Sequence, residues 1–199
     1  MLRSRNDDLL TPAASGDATE RVEVRLLEAI AGGERRAFEA LYRAYHPRLT
    51  RFLDRMTRRP ALVEEVLDDT MLVVWRRADR YNGQSKVSTW IFAIAYRTAL
   101  KALQRLDEPI DDEAEARAST EPGPEQRLGE QQLRALLLRA LQTLSAPQRA
   151  VVELCYFHGA GYREIAEIVD CPVDTVKTRM FHARRRLKAQ LAGRLEDYL

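Results

Sequence analysis

The chain has 199 residues, of which 45% are hydrophobic and 31% charged, and its formal net charge is only +2. This length accommodates one domain of ordinary size or two small ones. Apolar runs are short, none approaches the ~18 residues of a membrane span, and the N-terminus lacks the layout of a secretory signal. The composition therefore predicts a cytoplasmic protein with no membrane insertion of its own.

Cysteine and histidine are too few and too scattered to indicate a metal centre. The two cysteines, Cys155 and Cys171, form no Cys-x-x-Cys pair, and the three histidines lie far apart in the chain. The sequence predicts no metal site and no cofactor.

Helical periodicity recurs almost throughout the sequence, whereas alternation with period two is rare. The predicted fold class is all-α, with two small helical domains joined by a flexible acidic linker. The segments are a disordered N-terminal tail (1–21), a four-helix bundle (22–105), the linker (106–130) and a second helical domain (131–199). We expect the first helix near Val22–Ala31, and Pro47 predicts a kink or a restart within the second.

The third helix, in "VEEVLDDTMLVVWRRADRY", is apolar nearly all round. Its core side is predicted to carry Val63, Leu67, Met71, Val74, Trp75 and Ala78. Leu72 and Val73 fall on the opposite side, among the charged residues Asp68, Asp69 and Arg76. Such a helix is either buried on both sides or docks a partner, and in so small a domain we favour a partner.

A polar loop, Asn82–Ser88, leads into the fourth helix, whose outward face is predicted to carry Trp90, Arg97, Lys101 and Gln104. A tryptophan beside cations suits unpaired bases, which stack on aromatic rings while the cations follow the backbone. A boundary tryptophan that packs against its neighbours is an equally good interpretation of the same pattern.

The linker carries nine acidic residues against two arginines and is interrupted by three prolines. Such a segment buries too little surface to offset the entropy of ordering it, so it is predicted to be flexible. A solvated spacer is the simplest interpretation, although an acidic tether can also mimic or repel a nucleic acid strand.

The second domain contains a predicted helix-turn-helix. One helix starts at Ser145 with a capping box to Gln148, and after Gly159 and Gly161 a short helix, the turn "DCP" and a long final helix follow. In the final helix Val176, Met180, Ala183 and Leu187 form an apolar stripe. The opposite side is predicted to carry Lys177, Thr178, Phe181, His182, Arg185 and Lys188.

The distribution of charge on the final helix favours contact with DNA over an outer face that is only solvated. Six Lys or Arg residues and one acid lie between Asp174 and Lys188. Like charges without acidic partners repel on a helix face, whereas a basic face with an outward aromatic suits phosphates and thymine methyl groups.

The order of these parts resembles the extracytoplasmic-function (ECF, group IV) sigma factors of bacteria. The resemblance covers roughly residues 25–192 and is specific in "DDTMLVVWRR", "STWIFAIAYR" and "YREIAEIVDCPVDTVKTRMFHAR" taken together. It implies an alternative sigma factor, which is no enzyme by itself but directs bacterial core RNA polymerase to promoter DNA. The first domain corresponds to region 2 and the second to region 4.

The resemblance also implies three sets of site residues. Core polymerase would bind Asp68, Asp69, Leu72, Val73 and Arg76. The −10 element would be melted and read by Asn82, Gly83, Gln84, Ser85, Lys86, Ser88, Trp90, Arg97 and Lys101. The −35 element would be read by Tyr162, Arg163, Thr175, Lys177, Thr178, Phe181, His182, Arg184 and Arg185. Relatives often carry a smaller residue such as Asn at the position of Arg97. The resemblance therefore leaves open which −10 sequence this protein prefers.

The resemblance further implies control in trans by an anti-sigma factor or another regulator. The rival interpretation is a stand-alone helix-turn-helix regulator that binds operator DNA as a dimer. The acids of "EEVLDD" have no His, Cys or Ser partner nearby in the sequence, so we expect no catalytic site there.

Overall fold

The computed structural model describes residues 13–106 and 139–195, with side-chain burial for 17–106 and 139–191. In these ranges the secondary structure is helical, which confirms the predicted all-α class. The N-terminal domain consists of α1 (Ala13–Ala31), α2 (Arg35–Thr57), α3 (Pro60–Arg77), a 3-10 turn (Ala78–Arg80) and α4 (Val87–Arg105). The C-terminal domain contains α5 (Ala146–Phe157), α6 (Tyr162–Val169) and α7 (Val173–Leu195). Apart from Leu106, the predicted linker lies outside the described residues, and the domain limits stay predictions.

The first helix begins earlier than the sequence predicts. It starts at Ala13 rather than near Val22, so residues 13–21 of the predicted disordered tail are helical. Leu27 and Ile30 anchor α1 in the core, and Glu23 adds a polar contact. Its Oε2 accepts a 2.8 Å hydrogen bond from the buried Tyr45 hydroxyl, and Arg48 lies 3.6 Å from Oε1. Burial raises the pKa of Glu23 and also that of Tyr45. These contacts with α2, which local composition does not reveal, fix α1 on the bundle directly after the polar residues 13–21.

The core of the N-terminal domain follows the predicted stripes. On α3, Val63, Leu67, Met71 and Val74 are buried as expected, as is Ala78 in the 3-10 turn, whereas Trp75 is only half-buried. The second helix does not restart at Pro47, because α2 is continuous from Arg35 to Thr57. It ends where Arg58 adopts the left-handed conformation, with φ of 57°.

In the C-terminal domain, capping residues, turn residues and the spacing of apolar residues predict where helices begin and which face is buried. Ser145 Oγ accepts from the Gln148 backbone N–H and Gln148 Oε1 from the Ser145 N–H, which confirms the predicted capping box of α5. A short turn joins α6 to α7, with Asp170 in the left-handed region at φ 51°. Val176, Met180 and Ala183 of α7 are buried, as the predicted stripe requires.

The two domains pack against each other, α2 against α5 and α4 against α6. Arg55 Nη1 lies 3.0 Å from both carboxylate oxygens of Glu153, whose side chain is only 4% exposed. Arg149 Nε donates a 2.9 Å hydrogen bond to the Met56 carbonyl. Because α6 packs on α4, residues 91–96 of α4 are all buried, and one apolar cluster continues through both domains.

Candidate functional site

The first surface is the docking face, defined as Asp68, Asp69, Leu72, Val73 and Arg76 on α3. Val73 is half-buried and the other four side chains are exposed. Leu72 is 43% exposed, although the apolar residues on the opposite side of α3 are buried. A large aliphatic side chain among exposed charges is suited to burial against another molecule.

The docking face borders a groove between α2 and α3 with a volume of about 600 Å³. The groove is lined by Arg35, Phe38, Glu39, Tyr42, Asp68, Asp69, Met71, Leu72 and Trp75. The Tyr42 hydroxyl donates to Asp68 Oδ1 at 3.1 Å, and burial together with this carboxylate raises the pKa of Tyr42. Phe38 packs edge-on against Trp75 with ring centres 5.2 Å apart.

The aromatic wall of this groove was missed from the sequence. Phe38 and Tyr42 lie on the apolar stripe of α2 and Trp75 on the core side of α3, so periodicity assigns all three to the core. They are half-buried instead, and their rings form the wall beside Leu72. The sequence offered no signal that separates them from the core, because Tyr45 and Phe52 lie on the same stripe of α2 and are fully buried.

The second surface is the loop platform, defined as Asn82–Lys86 with Ser88, Trp90, Arg97 and Lys101. Asn82, Gly83, Gln84 and Lys86 are exposed, as are Arg97 and Lys101 on α4, whereas Ser85 and Ser88 are half-buried. Gly83 adopts φ of 71°, a conformation that favours glycine. The Asn82 Oδ1 accepts from the Gln84 backbone N–H at 3.1 Å, which closes the turn.

The structure of Trp90 is compatible with both interpretations that the sequence leaves open, a packed boundary residue and a platform for an unpaired base. Its ring is half-buried and packs at 59° on Tyr81, with ring centres 5.7 Å apart. The Tyr81 hydroxyl donates to the Ser85 carbonyl at 2.6 Å, so the ring that supports Trp90 is also tied to the loop. Trp90 is a packed boundary residue, and its remaining exposed part lies next to the polar loop.

The two domains pack against each other, and we call this the closed arrangement. In it, the C-terminal domain already contacts part of the loop platform. Glu164 of α6 accepts a 2.8 Å hydrogen bond from Thr89 and lies 3.8 Å from Lys86 Nζ. The sequence predicts neither contact, because residues so distant in the chain leave no periodic signal.

The third surface is the recognition face, defined as Lys177, Thr178, Phe181, His182, Arg184 and Arg185 on α7. All six side chains are exposed, Phe181 to 61%. Of the other predicted −35 residues, Arg163 is exposed while Tyr162 and Thr175 are half-buried. The helix-turn-helix therefore presents a basic face with one outward aromatic ring.

Two contacts order the cations of the recognition face. Lys177 Nζ lies 2.9 Å from Asp174 Oδ1, and Arg184 Nε donates to the Tyr156 hydroxyl at 3.1 Å. This hydrogen bond raises the pKa of Arg184 further. Tyr156, 58% exposed, extends the surface from α7 onto α5 and was not predicted.

The part of the chain that the structure describes holds no group of His, Cys, Asp and Glu residues suited to a metal ion. In the same ranges, no helix combines the length and apolar character needed to cross a membrane.

The two helical domains match two models from one protein class. Residues 41–108 match the family model "Sigma-70 region 2", and residues 134–187 match "Sigma-70, region 4". Matches to region 2 and then region 4 along one chain indicate an RNA polymerase sigma factor. The region 2 match favours this class over a stand-alone helix-turn-helix regulator.

Curated relatives narrow the class. The chain is 30% identical over 173 residues to the ECF RNA polymerase sigma-E factors of Salmonella typhimurium and Escherichia coli, covering 81% of this chain and 90% of each relative. It is 26% identical over 185 residues to the sigma-E factor of Haemophilus influenzae, covering 87% of this chain and 97% of that relative. The chain belongs to the ECF sigma factors and is thus an alternative sigma factor that directs transcription by RNA polymerase.

Two solved structures share the fold. CnrH, solved in complex with the cytosolic domain of CnrY, aligns with a TM-score of 0.64 and 22% identity, covering 86% of this chain and 98% of CnrH. The sigma factor RpoE, solved with the anti-sigma factor NepR from Bartonella quintana, aligns with a TM-score of 0.61 and 24% identity, covering 78% of this chain and 96% of RpoE. At these identities the likeness concerns the fold.

Proposed function

We propose that the three surfaces divide the work of transcription initiation. The docking face binds bacterial core RNA polymerase, the loop platform captures and reads the melted −10 element, and the recognition face reads the −35 element as duplex. The protein acts in the cytoplasm and has no catalytic site of its own. What supports this division is that the three surfaces lie on separate elements and differ in chemistry as the three ligands require.

One observation supports the proposal that α3 binds polymerase: Leu72 is exposed at the edge of an aromatic groove. Full burial of an exposed leucine contributes about 1.5–3 kcal/mol, and burial of the part of Leu72 that is still exposed contributes a corresponding share to binding. Asp68, Asp69 and Arg76 around it supply charges that orient a partner without closing the surface. The partner is therefore an apolar protein surface with charged flanks.

The other two surfaces suit DNA in different states. Trp90, supported by Tyr81, offers an aromatic face to an unpaired base, and such stacking contributes about 1–3 kcal/mol per base. Arg97 and Lys101 lie on the exposed face of α4, where a phosphate backbone can pass. On α7 the cations suit the phosphates of a duplex, and the Phe181 ring suits a thymine methyl group in the major groove.

We also propose control in trans by an anti-sigma factor. RpoE, which shares the fold, was co-crystallised with the anti-sigma factor NepR, and this complex supports the proposal. In this proposal the regulator binds the sigma factor and competes with polymerase.

The test of the docking face is Leu72→Glu. We expect this variant to lose binding to purified bacterial core RNA polymerase by more than tenfold, because a buried carboxylate replaces an apolar contact. Fluorescence anisotropy of the labelled full-length chain measures the affinity, and circular dichroism verifies that the helices persist. Val22→Glu is the matched control, since Val22 is an aliphatic residue on α1 that is 55% exposed. Unchanged affinity of Leu72→Glu would contradict the docking face.

A further inference from the structure

The loop platform is held by a residue from outside the region 2 segment. Glu20 of α1 is half-buried, and its Oε1 accepts a 2.7 Å hydrogen bond from the backbone N–H of Val87, the first residue of α4. The same carboxylate oxygen lies 3.4 Å from the Tyr81 hydroxyl. One side chain therefore contacts the residues on either side of the loop 82–86.

The start of α4 depends on this contact. Its N-cap residue, Lys86, makes no side-chain capping bond, although the first backbone N–H groups of a helix have no partner within the helix. The Glu20 carboxylate satisfies the Val87 N–H and places negative charge at the positive end of the helix dipole. α1 thus supplies the cap that the loop sequence lacks.

The contact reaches Trp90 through Tyr81. The single hydroxyl proton of Tyr81 is donated to the Ser85 carbonyl at 2.6 Å, and the carboxylate of Glu20 lies beside this bond. Burial and the negative charge of Glu20 both raise the pKa of Tyr81, so this hydroxyl stays a donor. Its ring packs on Trp90 with centres 5.7 Å apart. A shift of Glu20 therefore changes the loop, the start of α4 and the ring that supports Trp90.

From this geometry we propose that Glu20 is a positioning residue for the −10 element. It sets the loop platform in the conformation that accepts an unpaired base, without touching the DNA. The inference rests on the proposed role of the loop platform. Glu20 lies ahead of residues 41–108, the segment that matches the region 2 family model, and so it adds a contribution from α1 to the reading of the −10 element.

The test compares Glu20→Ala, Glu20→Gln and the matched control Glu28→Ala, which removes an exposed carboxylate from the same helix. Each full-length variant is combined with core polymerase on a promoter selected from a random library by the wild-type holoenzyme. Initial binding is measured by competitor challenge at low temperature, and opening by the permanganate reactivity of unpaired thymines.

We expect Glu20→Ala to slow opening by about tenfold, the equivalent of one lost charge-assisted hydrogen bond, while initial binding changes less than about twofold. Glu20→Gln should recover most of the opening rate, because its amide oxygen still accepts from Val87. Glu28→Ala should behave as wild type. Opening by Glu20→Ala at the wild-type rate, or an equal loss at both steps, would overturn the inference.

A second measurement needs no promoter. Hydrogen exchange of the Val87 amide in the free protein should accelerate in Glu20→Ala but not in Glu28→Ala, and equal protection in both would exclude the contact. If wild-type protein fails to initiate with core polymerase, the proposed function fails together with this inference. If wild type initiates and Glu20→Ala matches it, only the inference about Glu20 fails.

Discussion

His158 lies at the junction of the two domains, where its ring packs edge-on against Phe52 and Phe92 at 6.2 and 4.7 Å. Its Nε2 is buried without a hydrogen-bond partner among the described residues, 3.8 Å from Glu153 Oε1. Burial, followed by the positive charges of Arg48, Arg51 and Arg55 on α2, lowers its pKa from 6.5 to about 4. The neutral ring is therefore the form that fits the interface.

A lowered histidine pKa makes stability depend on pH. Between pH 6.5 and about 4, the unfolded chain binds a proton at His158 that the folded chain does not bind. We therefore expect the contribution of His158 to the free energy of unfolding to be full above pH 6.5 and to decrease as the pH falls towards 4. Burial raises the pKa of Glu153, which acts in the opposite direction, so the wild-type curve alone does not isolate the histidine.

The measurement compares urea unfolding of wild type and His158→Phe at several pH values. Phenylalanine keeps an aromatic ring against Phe52 and Phe92 but does not titrate, and Glu153 is present in both proteins. We expect the stability of wild type relative to the variant to decline below pH 6.5. A difference that stays constant across this range would contradict the assignment.

At the scale of single elements, α5 offers the most direct test of local sequence control. Its Ser145–Gln148 capping box satisfies two backbone N–H groups that the helix itself leaves unpaired. Ser145→Ala should lower the free energy of unfolding by about 1 kcal/mol, as measured by urea unfolding. Ser145→Thr retains the hydroxyl and should lose less. Equal stability of the alanine variant and wild type would show that the box contributes nothing.

The elements divide into those that local pattern predicts and those that it does not. The α5 cap and most of the buried residues of α3 and α7 follow from the spacing of capping and apolar residues and were predicted correctly. Trp75 and Leu187, which the same spacing assigns to the core, are half-buried. The start of α1 was not predicted correctly, because residues 13–21 carry a polar composition typical of a tail. Their helix is supported by the partners of Glu20 and Glu23, which lie far away in the sequence.

The residues of the candidate site likewise divide into those that the sequence pattern predicts and those that it does not. Helical periodicity alone predicted the exposure of Leu72, Lys177 and Phe181, because it identifies which face is turned away from a core. Periodicity could not identify Glu20 or Glu164, since each acts on the loop platform from another element. The half-burial of Trp90 was also ambiguous, because it depends on the position of Tyr81 across the loop.

For the molecule as a whole, the closed arrangement of the domains depends on a small number of polar contacts around an apolar interface. Arg55 binds the buried carboxylate of Glu153 and also lies 3.9 Å from the centre of the Phe157 ring. Arg58 donates to the Gln142 carbonyl at 2.8 Å. The Arg55 side chain is 34% exposed and that of Glu153 only 4%, so removal of Arg55 leaves a buried carboxylate without its ion-pair partner and destabilises the interface.

We therefore expect Arg55→Ala to shift the free protein towards separated domains. Small-angle X-ray scattering should show a larger radius of gyration, while the helical content is unchanged by circular dichroism. Arg43→Ala is the matched control, because it removes an exposed ion pair with Glu39 from the same helix. If the radius of gyration of Arg55→Ala equals that of the control, the ion pair does not hold the domains together. Separation would also release Lys86 and Thr89 from Glu164 and free the loop platform.

The central claim is that this protein gives RNA polymerase its promoter specificity. In-vitro transcription with purified bacterial core polymerase on a random promoter library tests it most directly. We expect transcripts from a defined set of −10 and −35 sequences only when protein and core polymerase are both present. Specific protection of a two-half-site operator by the protein alone, with no transcripts added by the core enzyme, would contradict the account.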